Sequence, residues 1–164
     1  MYNKLRRVFT LVLGLTVVGL FNTASADWSI GDTEQDIVIT LKSNPMSNPE
    51  AACLAVTFAK SLSGNPMANV TLFVTLDGVS LADDAVVSSR RFKCDTPWGE
   101  KTLIETLQDF LGGDDNNMVV CPLCWGSRYG DELPDHGVLP GSDDGTPGDA
   151  IGKMIFKADK ILDF

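Results

Sequence analysis

The residues best suited to chemistry are two cysteines, Cys121 and Cys124, which form a C-x-x-C pair at the end of an apolar run. The run 118–121 has the composition of a buried strand, so a rigid sheet would hold the first thiol while its sulfur reaches solvent. The thiolate is the reactive form of cysteine, and it is favoured at a helix N-terminus or beside a cation. We therefore expect Cys121 to be a reactive thiol.

The residues after the first cysteine predict a short helix. Pro122 suits the first helical position, and the free N–H groups of such a helix would point toward the Cys121 sulfur. Arg128 would add positive charge, whereas the negative charge of the whole chain would raise the thiol pKa. Cys124 would lie one turn along, close enough to attack a persulfide on Cys121. The alternative is a structural disulfide between the two, formed in an oxidising compartment.

The other two cysteines are weaker candidates. Cys53 lies in an alanine-rich segment and is expected to be a small core residue. Cys94 follows a basic cluster at 90–93, which would lower its pKa or steer an anion such as thiosulfate or sulfite; a solvated loop is the preferred interpretation. Cys94 could also pair with either member of the C-x-x-C pair. Four cysteines allow three complete pairings, and the sequence does not choose among them.

Cofactor and metal sites are disfavoured by the residues around the pair. A c-type haem motif needs histidine where Trp125 stands. Zinc would need two further ligands in paired spacing, and only His136, Cys94 and Cys53 are available. His136 lies in a polar loop and is expected to be an exposed turn residue. The segment 143–145 resembles a turn more than a calcium loop, because alternating oxygen ligands are missing. We expect no cofactor and no metal.

The N-terminus has the three parts of a secretory signal peptide. Basic residues within 4–7 precede an apolar stretch at 8–21, which is short for a membrane span. Ala24-Ser25-Ala26 matches an A-x-A cleavage site. We predict a signal peptide over 1–26 that is cleaved, and a bacterial periplasmic location. An uncleaved membrane anchor is the alternative.

Length and charge limit the function classes further. Without the predicted signal the chain would be 138 residues of the full 164, which predicts a single domain over 27–164. The signal carries three positive charges and no negative one, so its loss takes the net charge from −9 to −12. Such an acidic chain is a poor match to nucleic acid or to an anionic membrane surface. The sequence beyond 26 contains no second hydrophobic span.

The remaining pattern alternates strands and helices. Strands are predicted, in chain order, at 36–41, 70–76, 118–121, a brief 138–139, and 161–164. Helices are predicted at 49–62 with Asn48 as its cap, near 80–88, at 102–111, directly after the cysteines, and at 149–158. This alternation indicates a parallel sheet with helices on both faces. Sites form at the carboxyl ends of such strands, where 43–49, 77–79 and 121–125 should meet.

The assembled pattern resembles the DsrE/DsrF-like family, which includes sulfur-relay proteins of the TusD type. The resemblance rests on the first strand and helix, 36–62, the run 70–79, the strand ending in Val-Cys-Pro at 119–122, and the tail 157–164. It implies a three-layer α/β/α fold with a mainly parallel sheet of about five strands, and assembly as a homo-oligomer, a trimer or hexamer. It also implies that Cys121 carries sulfur as a persulfide.

Three functional hypotheses follow. The first is a sulfur carrier or sulfurtransferase-like protein with a Cys121 persulfide, which exchanges sulfur with Cys124, a donor or acceptor protein, or a small thiol. The second is a thiol–disulfide oxidoreductase using both cysteines. Thioredoxin-like enzymes place their C-x-x-C after an early strand, whereas this pair comes late in the chain. The third is a non-catalytic exported subunit whose cysteines only brace the loop, and whose four cysteines would be fully paired or inert to alkylation.

Overall fold

The computed structural model describes residues 33–89, 92–113, 117–130, 142–143 and 148–164. In chain order the elements are β1 (Gln35–Leu41), α1 (Pro49–Ser63), β2 (Ala68–Val74), a 3-10 helix (Leu76–Leu81), α2 (Asp84–Ser89), β3 (Lys93–Thr96), β4 (Gly99–Thr102), α3 (Leu103–Leu111), β5 (Asn117–Val120), α4 (Pro122–Tyr129), β6 (Ser142–Asp143), α5 (Gly148–Lys157) and β7 (Lys160–Asp163). Five strands form one sheet in the order β6-β5-β2-β1-β7. Every neighbouring pair in it is parallel.

The central strands are buried on both faces, which explains their continuous apolar sequences. Alternate residues of β1 point to opposite faces. Ile39 belongs to a core cluster that includes residues of α1, α3 and α4, whereas Val38 belongs to a second cluster with Ile151 of α5. Helices therefore cover both faces of the sheet. The predicted three-layer α/β/α fold with a parallel sheet of about five strands is confirmed.

The two long helices on the first face begin where their sequences predict. Asn48 caps α1 by accepting a hydrogen bond from the Ala51 backbone N–H at 3.3 Å, and Pro49 occupies the first turn. Thr102 and Glu105 form a reciprocal capping box at the start of α3. The two hydrogen bonds from Thr102 lower the pKa of the Glu105 carboxyl. Predicted helices 49–62 and 102–111 are therefore confirmed to within one residue at either end.

The connection after β2 is more structured than predicted. The expected strand 70–76 ends at Val74, because Leu76 takes a left-handed backbone with φ of 50° and starts the 3-10 helix. The predicted short helix near 80–88 corresponds to that 3-10 helix followed by α2. The antiparallel hairpin of β3 and β4 was not predicted. Its strands are four residues each and mostly polar, so they lack the apolar alternation that identifies a strand.

Part of the predicted C-terminal half lies outside the described residues. That part includes the brief strand 138–139 and His136. The structure places Ser142–Asp143 in a short strand parallel to β5, where the sequence had predicted that Asp143 begins a turn. The predicted helix 149–158 and the final strand are confirmed as α5 and β7. Among the described helices, none is both long and apolar enough to cross a membrane.

Candidate active site at the C-x-x-C pair

The carboxyl ends of the three central strands are tied together by backbone hydrogen bonds. The Cys121 N–H donates to the Val74 carbonyl at 2.9 Å, and the Thr75 N–H donates to the Leu41 carbonyl at 3.0 Å. The Gly78 N–H reaches the Lys42 carbonyl, also at 3.0 Å. Asp77 and Cys124 also line one common groove, which confirms the predicted meeting of 77–79 with 121–125. The link to the first strand runs through Leu41 and Lys42, just before the predicted segment 43–49.

Cys121 lies where the sequence predicts, between strand β5 and helix α4. It is the N-cap residue of α4, Pro122 follows in the first turn, and the Trp125 N–H donates to the Cys121 carbonyl at 2.9 Å. The side chain is half-buried and packs against both core clusters. A backbone hydrogen bond from Cys124 reaches the Cys121 sulfur, as expected for the first turn of a helix.

Cys124 lies one turn further on and faces the segment that follows β2. Its Sγ is 3.4 Å from the Thr75 Oγ1, and it also receives a backbone hydrogen bond from Leu76. The Cys121 and Cys124 side chains hydrogen-bond to each other. Both thiols are free. The structure therefore brings both predicted site residues together, and it adds Thr75 and Leu76, which the sequence analysis missed.

The backbone around Leu76 is held in a strained conformation. A φ of 50° is unusual for any residue other than glycine, and it turns the chain sharply beneath the Cys124 sulfur. Gly78 permits this turn, because a Cβ at position 78 would lie 2.1 Å from the Leu41 carbonyl oxygen. A sequence signal for the turn was present in the Asp77-Gly78 pair, but it did not indicate contact with a cysteine.

The two thiols differ in acidity. Burial raises the pKa of the Cys121 thiol, and its hydrogen bond with Cys124 raises it further. Burial also acts to raise the pKa of Cys124, but hydrogen bonds from Cys121, Thr75 and Leu76 more than offset this and lower it. The expectation that the thiolate is favoured at Cys121 is thus not supported. Desolvation by the tertiary fold could not be inferred from the sequence.

An open groove of about 720 Å³ lies beside the pair. Its lining consists of Leu76, Asp77, Leu123, Cys124, Ser127 and Arg128. Arg128 forms an ion pair with Asp77, with Nη2 and Oδ1 2.5 Å apart. Both lining leucines are exposed, Leu76 by 60% and Leu123 by 80%. The groove therefore combines a thiol, an apolar rim and one internally neutralised ion pair.

Two residues support the helix that carries Cys124. The fully buried Trp125 ring packs on Tyr129, with centroids 4.5 Å apart. Burial raises the pKa of the Tyr129 hydroxyl to about 12, and the neighbouring Asp83 carboxylate adds to the shift. The Tyr129 phenol therefore stays protonated at neutral pH. The packing of Trp125 and Tyr129 against the core anchors α4.

The remaining two cysteines form a disulfide. Cys53 of α1 and Cys94 of β3 are joined across 41 residues, with Cα atoms 5.4 Å apart. Cys94 is 1% exposed, so its assignment to a solvated loop is wrong, as is a pairing with the C-x-x-C pair. The Lys93 ammonium is paired with Glu100 across the hairpin. A disulfide sulfur does not titrate, so the basic cluster cannot activate Cys94.

Cys53 packs against the core as predicted, and its pairing with Cys94 was one that the sequence left open. A signal for it was the even number of cysteines, since four cysteines can pair completely. The disulfide also removes Cys53 and Cys94 from the ligands that zinc could have used.

Comparison with solved structures supports the fold described above. No protein-family model matches the sequence, and no curated protein matches it. The crystal structure of the ychN protein from E. coli, which has a DsrE/DsrF-like fold, matches with a TM-score of 0.52 and 22% sequence identity. The match covers 79% of this chain and 99% of that one. The chain therefore has a DsrE-like fold.

Proposed function

We propose that the protein is a sulfur carrier of the DsrE/DsrF-like family that holds sulfane sulfur as a persulfide on the C-x-x-C pair. The observation that carries this proposal is the placement of two free, mutually hydrogen-bonded thiols at a strand end beside an open groove. Buried structural cysteines are inert, whereas partly exposed thiols with donors around the sulfur are reactive. The DsrE-like fold supports the same assignment.

The transfer needs no oxidant or reductant. A cysteine thiolate of the pair attacks the outer sulfur of an organic persulfide, so that a new S–S bond forms to the cysteine. The donor's own S–S bond breaks, and its thiol leaves with the electron pair and takes up a proton. One sulfane sulfur has then moved from donor to carrier with its oxidation state unchanged. Handing it to an acceptor thiol repeats the same exchange.

The setting of this activity is also part of the proposal. The predicted signal over 1–26 would export the protein to the periplasm, where the donor and acceptor would be a protein or a small thiol. We further infer a trimer or hexamer. Large apolar side chains remain exposed outside the groove, including Leu54, Phe58, Phe156 and Ile161, and an oligomer would provide partners to cover them. Sedimentation of the purified protein tests the subunit number.

A thiol–disulfide oxidoreductase is the second candidate. The contact between the Cys121 and Cys124 side chains favours it, because the same proximity would allow a disulfide to open and close. The third hypothesis, a subunit whose cysteines only brace the chain, requires the four cysteines to be fully paired or inert to alkylation. It receives support from Cys53–Cys94 but not from the two free thiols.

Intact-mass measurement after incubation with sodium tetrasulfide, a sulfane-sulfur donor, separates the candidates. The sulfur carrier gains about 32 Da, or a multiple of it, for each sulfur that it holds. The adduct should lie in the tryptic peptide 102–128, which contains both thiols of the pair. Absence of any adduct, together with rapid reduction of a test disulfide by the dithiol form, would replace the sulfur carrier by the oxidoreductase.

A further inference from the structure

We propose that Cys124, and not Cys121, is the thiol that first accepts sulfane sulfur from the donor, with Cys121 as the second thiol of an internal relay. This inference rests on the proposed sulfur-carrier function and specifies the order of its steps. It reverses the assignment expected from the strand-end position, which places the first reaction on Cys121.

Cys124 is the thiol that a sulfur donor can reach first. Cys124 contributes the only thiol among the six described residues that line the groove. Cys124 packs against the core cluster on one face of the sheet, whereas Cys121 packs against the clusters on both faces and is absent from the lining of the groove. A donor that enters between the exposed side chains of Leu76 and Leu123 therefore meets the Cys124 sulfur before it can reach Cys121.

The hydrogen-bond donors around each sulfur also favour Cys124 as the first acceptor. The Thr75 Oγ1 lies 3.4 Å from the Cys124 sulfur, and its single proton can be donated to one thiolate at a time. The Leu76 backbone contact is made to Cys124. Leu76 has a left-handed backbone, and the turn that follows it packs against Leu41 because Gly78 has no side chain. The contact between Leu76 and Cys124 is therefore fixed before any substrate arrives. The left-handed backbone of Leu76 thus places a hydrogen-bond donor where it stabilises a thiolate at Cys124.

The relay consists of two thiol–persulfide exchanges. The Cys124 thiolate attacks the outer sulfur of the donor persulfide and displaces the donor thiol, which leaves Cys124 as a persulfide. The neighbouring Cys121 sulfur then attacks that outer sulfur, the S–S bond at Cys124 breaks, and the Cys124 thiol is regenerated with one proton. Attack on the inner sulfur would instead form a Cys121–Cys124 disulfide and release hydrogen sulfide. The mutual contact of the two side chains makes either step a short-range exchange.

The decisive experiment compares the two thiols one at a time, with the Cys53–Cys94 disulfide left intact. Cys121→Ser leaves only Cys124 free, and Cys124→Ser leaves only Cys121 free. Serine is chosen because its hydroxyl can still donate a hydrogen bond to the remaining sulfur. Iodoacetamide rates are measured from pH 5 to pH 10. Cys121→Ser should react faster at neutral pH and show the lower apparent pKa. Faster reaction of Cys124→Ser overturns the proposal.

A positioning test uses Thr75 in the Cys121→Ser background. Thr75→Val removes the hydroxyl at nearly constant shape and should slow alkylation of Cys124 by about two- to tenfold at neutral pH, the range expected for one hydrogen bond to the sulfur. The matched control is Thr71→Val, which makes the same change four residues earlier on β2 and should leave the rate unchanged. Equal alkylation rates for both valine variants would show that the Thr75 hydroxyl does not activate Cys124.

Sulfur loading of the same variants separates this inference from the proposed function. After tetrasulfide treatment, Cys121→Ser should still gain sulfur, whereas Cys124→Ser should gain it slowly or not at all. Equal loading of the two variants overturns the order of steps but leaves the carrier function standing. If neither variant nor the unaltered protein is loaded, the carrier function fails and the relay fails with it, while the alkylation rates still identify the nucleophile.

Discussion

The molecule contains two cysteine pairs that the fold treats in opposite ways. The Cys53–Cys94 pair links helix α1 to the β3–β4 hairpin as a disulfide, with Cys94 fully enclosed. The C-x-x-C pair lies at the carboxyl edge of the sheet, where both thiols are free and Cys124 faces an open groove. The comparison shows that position in the fold decides whether a cysteine crosslinks the chain or is available for chemistry.

The difference has a simple physical basis. The disulfide closes a loop of about 40 residues between two elements that do not adjoin in the sequence, and such a crosslink chiefly restricts the unfolded chain. The C-x-x-C pair spans one helical turn, so closing it would restrict very little of the unfolded chain. Its local setting of Thr75, Leu76 and the start of α4 instead stabilises a thiolate.

The largest expected effect breaks the reactive pair. Cys124→Ser should slow or abolish sulfur loading from tetrasulfide, because it removes the groove-facing thiol. The thermal midpoint should stay within about 2 °C, since the partly exposed side chain is replaced by one of similar size. Intact mass and circular dichroism measure the two effects. A large fall in the midpoint would mean that Cys124 has a structural role like that of Cys53.

The next effect breaks the crosslinked pair. Cys53→Ala combined with Cys94→Ala should lower the free energy of unfolding by about 4 kcal/mol, the chain-entropy value for a loop of this length. Alkylation of the C-x-x-C pair in the folded protein should be unchanged. Urea denaturation under non-reducing conditions provides the measurement. Loss of thiol reactivity in the folded variant would show that the two pairs are not independent.

A smaller effect tests the turn beneath the groove. Gly78→Ala should cost about 1–3 kcal/mol, because the added Cβ would lie 2.1 Å from a backbone oxygen and the turn must shift. That shift should also slow alkylation of Cys124. Gly152→Ala is the matched control, since its Cβ would meet nothing within 4 Å in helix α5. It should leave reactivity unchanged and stabilise the helix slightly. Equal reactivity of the two variants would contradict the role of the turn.

The smallest effect concerns Tyr129, which anchors the helix of the reactive pair. Its pKa is raised to about 12, so ionisation on a pH titration should occur well above the ordinary value near 10. Because the raised pKa belongs to the folded state, stability from this group is present below about pH 10 and is lost as the pH rises toward 12. Phenolate absorbance follows the titration, and in protein lacking 1–26 Tyr129 is the only tyrosine. An ordinary pKa would show that the ring is solvated.

Most of the fold could be predicted from the sequence, because its signals are local. The apolar runs of β1 and β5, the Asn48-Pro49 start of α1, and the glycines after α3 each identify an element without reference to the rest of the chain. Parallel pairing follows from the alternation of these elements. The position of Cys121 at the end of β5 was predicted for the same reason.

The parts that were missed or left open depend on contacts between distant residues. The Cys53–Cys94 pairing joins positions that only the packed hairpin brings together. The left-handed backbone of Leu76 has no residue-type signal, since glycine or asparagine would normally mark it. The difference in acidity between Cys121 and Cys124 comes from burial and from Thr75 across the strand end. No spacing within the motif encodes it.

The contrast between the two pairs is tested most directly by counting and locating thiols in the native, non-reduced protein. Limiting iodoacetamide followed by intact-mass and fragment analysis should give a maximum of two labels, both within 102–128, with the first on Cys124. Cys53 and Cys94 should become accessible only after reduction. Labelling of Cys53 or Cys94 without reduction, or no label on either residue of the C-x-x-C pair, would contradict the account.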